Sequence, residues 1–153
     1  MPLRGRGTNG EDLAMEDLSL HILDIVENAL RAGANNVIIR LVQNKREDWL
    51  ILEVADDGEG MDEETLRRAL DPFFTTKAGK RIGLGLPFLA QAAEEAGGKL
   101  HIESAPGKGT KVTATFRLSH IDRKPLGNLE ETVRCLKATH PEVGFRFEHV
   151  EID

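Results

Sequence analysis

Nine of the fifteen glycines in this 153-residue chain fall between Gly58 and Gly109. Glycine reaches backbone angles closed to other residues, so this third of the chain reads as short elements joined by turns. Before it, the apolar residues Leu18, Ile22, Ile25, Val26, Ala29 and Leu30 recur at three- and four-residue steps. That spacing predicts an amphipathic helix from about Asp17 to Ala32, stopped by Gly33. Its other stripe is polar: His21, Asp24, Asn28 and Arg31 stand three and four apart and are expected on one face. Two strand-like runs follow, Asn36 to Gln43 and Trp49 to Ala55, joined by a polar turn.

Within the glycine-rich stretch, the second strand ends in Asp56-Asp57-Gly58-Glu59-Gly60-Met61. Asp62 is placed to cap a short helix through about Leu70, which Asp71-Pro72 stops. Residues 72–81 show no period and are expected to form a mobile loop anchored by Phe73 and Phe74. Gly83-Leu84-Gly85-Leu86-Pro87 leads into a helix to about Ala96, with Pro87 suited to the first turn and Gly97-Gly98 to the exit. Lys99 to Ser104 and Thr110 to Leu118 predict a second hairpin around Pro106-Gly107-Lys108-Gly109. Asn128 with Glu131 forms a capping box for a helix to about Thr139, and Val143, Phe145 and Phe147 alternate in a last strand. Three regions are expected: a flexible lead-in at 1–14, a main domain at 15–118, and a helix-strand extension at 119–153 packed on it.

Composition bounds the function. Twenty Lys and Arg against 26 Asp and Glu leave a formal charge of −6, which disfavours broad nucleic-acid binding, since that works by neutralising phosphates. The lone Cys135 can form no internal disulfide and no zinc cluster of the usual spacing. No apolar run approaches a bilayer's thickness and the N-terminal residues lack a signal peptide's apolar centre. The expectation is a cytoplasmic protein with no membrane or nucleic-acid partner.

Three constellations carry chemistry. Asp24 and Asn28 lie one helical turn apart; beside the ordinary reading as a solvated helix face, Asn28 suits a hard cation such as Mg²⁺ and Asp24 could orient a nucleophile. Arg31 on the same face could pair with a phosphate. Asp56 at a strand end, followed by Gly58 and Gly60, is either a plain turn or an acceptor for the exocyclic amine of adenine, a position where guanine offers a carbonyl. Gly83-Leu84-Gly85-Leu86 opening a helix can cradle phosphate on backbone N–H groups. A dinucleotide fingerprint is excluded because Phe88 stands where glycine is needed, and Gly107-Lys108-Gly109-Thr110 lacks P-loop spacing.

In order and spacing these pieces, over residues 18–118, resemble the histidine-kinase-like (GHKL, Bergerat-fold) ATPases, closest to sensor histidine kinase catalytic domains and anti-sigma-factor kinases. Leu23 to Leu30 resembles the N box, Asp56 to Met61 the first glycine box, Asp71 to Lys77 the phenylalanine box of sensor kinases, and Gly83 to Leu86 the second glycine box. Gly97 to Thr110 resembles the closing hairpin. The resemblance implies an α/β two-layer sandwich, a mixed sheet covered on one face by helices, with ATP between helices and a lid loop. It implies ATP and Mg²⁺ as cofactors, Asn28 as metal ligand, and Asp24 as the catalytic carboxylate. The implied ATP contacts are Asn28, Arg31, Asp56, Gly58, Gly60, Met61, Phe73, Thr76, Lys77, Gly83, Leu84, Gly85, Leu86 and Thr110, the last approaching the phosphates. Asp24 departs from the family, whose members carry Asn or Glu there; Arg81 and Pro87 replace a glycine and a small residue.

The functional expectation is a stand-alone Mg-ATP-binding kinase module of two-component-like signalling. It would transfer the γ-phosphoryl to a separate acceptor or regulator protein, and a homodimer is compatible with it. The alternatives are a mismatch-repair-like ATPase that uses hydrolysis for conformational change and a non-catalytic ATP-sensing module.

Overall fold

The computed structural model describes residues 17–71, 85–121 and 123–153. Its elements run α1 (Leu18–Arg31), β1 (Asn36–Asn44), β2 (Trp49–Asp56), α2 (Glu63–Ala69), α3 (Gly85–Glu95), β3 (Leu100–Ser104), β4 (Thr110–Arg117), α4 (Leu129–Thr139) and β5 (Gly144–Ile152). The strands form one five-stranded sheet in the order β3-β4-β2-β1-β5. All neighbours are antiparallel except β1 and β5, which run parallel. With four helices packed on it, the mixed sheet makes the expected α/β sandwich. The lead-in and the loop at 72–81 lie outside the described residues.

Alternation along the strands separates the two faces. Val37, Ile39 and Leu41 of β1, Leu50, Leu52 and Val54 of β2, and Val112, Ala114 and Phe116 of β4 are buried. They align across the sheet, Leu41 opposite Leu52 and Leu52 opposite Ala114, so period-two side chains stack into one layer. Ile22, Ile25, Val26 and Ala29 of α1 and Leu89, Ala92 and Ala93 of α3 cover that layer. The opposite face carries charge, with Arg40 on Glu148 at 3.6 Å and Lys111 on Glu53 at 3.6 Å.

Local capping fixes the helix starts. Asp17, Asp62 and Asn128 each accept a bond from the backbone N–H three residues on, at Leu20, Thr65 and Glu131. One expectation on α1 is corrected: His21, assigned to the polar stripe, is 3% exposed. Pro125 accepts the Leu18 N–H at 2.8 Å and α4 packs against α1, so chain distant in sequence covers the first turn. Leu20 takes the outward position at 44% exposed.

The last strand enlarges the sheet. β5 pairs with β1 over nine residues, from Asn36 opposite Gly144 to Asn44 opposite Ile152. Phe145 sits opposite Val37 and is buried; Phe147, opposite Ile39, packs partly buried against the core.

Candidate functional site

β2 stops at Asp56 because the next residues turn sharply onto the end of α1. The Glu59 N–H reaches the Ala32 carbonyl at 2.9 Å, and Gly58 donates to Asp56 Oδ1 at 2.8 Å. Gly60 adopts φ +75, and a Cβ there would fall 2.0 Å from the Ala105 carbonyl oxygen. Only glycine can pass this point, where the first glycine turn crosses the closing hairpin. Gly107 N–H to Glu59 O at 2.7 Å and Met61 N–H to Ser104 Oγ at 2.8 Å tie the two loops together.

The neighbouring Asp57 faces the other way. It accepts from the backbone N–H groups of Asn35 (2.8 Å) and Asn36 (2.9 Å) and from Asn36 Nδ2 (2.9 Å). The Asn36 amide and these N–H groups hold its carboxyl below the usual aspartate value. Asp56 is moved upward, mainly because it is partly buried, with the Asp57 charge adding to the effect and the Gly58 N–H opposing it. Two adjacent carboxylates therefore differ in kind: Asp57 is a structural clamp, and Asp56 is a desolvated acceptor.

Asp56 opens on a cavity of about 420 Å³, a volume suited to a small organic ligand. Of the residues singled out from the sequence, Asn28, Asp56, Gly60, Met61, Leu86 and Thr110 line it. Ile25, Ala29 and Val112 add an apolar wall, so a flat aromatic group can be desolvated beside the Asp56 carboxylate; Glu59 also lines the cavity. Gly58 stands behind Asp56, bonded to it. Arg31 lies outside the lining but its Nη1 donates to Asn28 Oδ1 at 3.3 Å. Thr110, expected near phosphates, is the register partner of Asp56. Asp24 is on α1 one turn before Asn28, backed by the first residue of α3, Gly85. Phe73, Thr76, Lys77, Gly83 and Leu84 lie outside the described residues.

Sequence reasoning missed Thr65, Arg68 and Ala69 of α2, which also line the cavity. The signal was their spacing of three and four, which puts them on one side of the helix capped by Asp62. Arg68 pairs with Glu64 one turn back.

A partly buried carboxylate at a strand end thus faces an apolar slot framed by a glycine turn, the closing hairpin and the start of α3 in an α/β domain. The family model described as histidine kinase-, DNA gyrase B- and HSP90-like ATPase matches residues 15–120, and the chain belongs to that family. Membership of an ATPase family implies ATP binding. The chain is 40% identical over 111 residues to the sensor protein kinase FleS of Pseudomonas aeruginosa, covering 72% of this chain and 27% of that protein. It is 34% identical over 103 residues to a putative sensor protein of Shewanella frigidimarina (66% and 16% of the two chains). With sporulation kinase C of Bacillus subtilis it shares 31% over 102 residues (67% and 23%). The chain thus spans about a quarter or less of these relatives' length. Family and relatives together support an ATP-binding kinase catalytic domain. Among the described residues no helix is long and apolar enough to cross a membrane.

Proposed function

We propose that the cavity binds Mg-ATP and that the chain is the catalytic module of a signalling kinase, passing the γ-phosphoryl group to a separate protein. The observation that carries this reading is the partly buried Asp56 facing an apolar slot that Asn28 also lines. Asp56 accepts the exocyclic amine of adenine, the apolar wall desolvates the ring, and the N–H groups at the start of α3 favour phosphate.

Among the described residues no three His, Cys, Asp or Glu side chains gather into a metal cage. The donors fit instead a Mg²⁺ carried on the nucleotide phosphates, with Asn28 Oδ1 as its protein ligand. That oxygen already draws a cation, the Arg31 guanidinium. Bound there, Mg²⁺ would neutralise phosphate charge. Asp24, one turn away, orients or deprotonates the acceptor.

The carboxylate at Asp24 also favours a second reading, hydrolysis to drive a conformational change. Incubation with γ-labelled ATP, alone and with cell extract, separates them. Label on a second protein is the expected result; free phosphate with no labelled protein supports the ATPase, and ATP binding with neither product supports an ATP sensor.

A further inference from the structure

Asp56, Thr110 and Ser104 stand side by side on three adjacent strands, Thr110 being the register partner of both. Ser104 Oγ makes three hydrogen bonds: with the Met61 N–H at 2.8 Å, the Gly109 carbonyl at 3.1 Å and Thr110 Oγ1 at 2.7 Å. A serine hydroxyl has one proton and two lone pairs. The Met61 N–H can only donate, so it takes one lone pair. The Gly109 carbonyl can only accept, so a bond to it uses the proton. With the proton assigned there, the Thr110 hydroxyl, which by distance alone could be donor or acceptor, donates into the remaining lone pair.

We infer that Ser104 is a positioning residue that fixes the Thr110 hydroxyl proton away from the cavity, so that Thr110 meets the ligand as an acceptor only. Thr110 then stands beside Asp56 as a second acceptor, which suits the amine edge of adenine or a water donating between the groups. It opposes the carbonyl edge of guanine, because a carbonyl facing two acceptors is left unpaired. Ser104 touches no ligand in this scheme; it sets base selectivity through the direction of one proton. The inference rests on the cavity taking an adenine base, and it adds a selectivity element on β3, a strand that the reading of Asp56 alone leaves idle.

The test is the ratio of ATP to GTP affinity, measured by equilibrium titration with Mg²⁺ on the full chain. Wild type is expected to prefer ATP. In Ser104→Ala the Thr110 hydroxyl is released to turn its proton toward a guanine carbonyl, and the preference narrows by about tenfold, one hydrogen bond's worth. Ser104→Thr, which keeps the hydroxyl, restores it. A hairpin that is merely loosened weakens both nucleotides together, so Ser104→Ala with the wild-type ratio overturns the inference. Thr110→Val supplies an independent arm: adding Ser104→Ala to it should leave the ratio where Thr110→Val put it, and a further narrowing overturns the relay. Equal binding of ATP and GTP by wild type overturns the adenine reading itself, a result distinct from an intact preference that ignores Ser104.

Discussion

Gly85, the first residue of α3, lies directly against Asp24 of α1: a Cβ on Gly85 would stand 2.7 Å from the Asp24 Cβ. The catalytic candidate is thus backed by bare backbone. Alanine in a helix interior is worth up to about 1 kcal/mol over glycine, whereas forcing an extra carbon into a packed contact costs about 1–3 kcal/mol. At a helix start the propensity gain is at its smallest, so the contact dominates. Gly85→Ala is expected to destabilise the protein by about that amount in urea unfolding and to lower turnover by displacing Asp24. A variant more stable than wild type would mean that the two helices have room to spare.

Asp56→Asn is expected to weaken ATP binding by about 1.5–3 kcal/mol, the range for a hydrogen bond to a charged group. The wild-type carboxyl titrates above its ordinary value because of burial, and only the ionised form accepts the amine at full strength. Affinity should therefore decline on acidification at a higher pH than an ordinary aspartate would give, and Asp56→Asn should remove that limb. Titration calorimetry across the acid range reads both effects.

Asp57 gives the opposite stability signature. Its folded-state value lies below the unfolded one because Asn36 and two backbone N–H groups hold the charged form. Its stabilisation is present above the unfolded value of about 3.8 and is lost as pH falls through the lowered folded value. Asp57→Asn should lower stability at neutral pH and flatten the acid limb of the stability curve. Parallel curves for the two proteins would show that the clamp does not respond to charge.

The Mg²⁺ assignment and the catalytic one separate through two substitutions on α1. Asn28→Ala should abolish the Mg²⁺ dependence of ATP binding, seen as affinity that no longer responds to added Mg²⁺ or chelator. Asp24→Asn should retain binding and lose turnover. Full turnover in the latter would remove Asp24 from the chemistry.

Legibility in the sequence followed range along the chain. Both hairpins, the caps at Asp62 and Asn128 and the apolar stripe of α1 rest on residues at most a few positions apart, where periodicity and turn chemistry act directly. Six positions from four motifs, Asn28 through Thr110, line one cavity because the fold brings the last turn of α1, the end of β2, the start of α3 and the start of β4 together. His21 was read wrongly since its burial comes from tertiary packing, which the periodicity of a single helix does not show. The position of Thr110 was also hidden: its place beside Asp56 is set by strand register, which a hairpin signal does not specify. The pairing of β5 with β1 joins Asn36 to Gly144, a separation at which no local pattern names a partner.

That pairing bears on where the molecule can be cut. Family similarity runs to residue 120, while the hydrogen-bonded ladder continues to Ile152. A shortened protein ending at the similarity limit would strip β1 along its whole length, baring a strand that carries Val37, Ile39 and Leu41. Unprotected edges of this kind recruit other chains, so the natural unit for expression and crystallisation runs to the last strand rather than to the last recognisable motif.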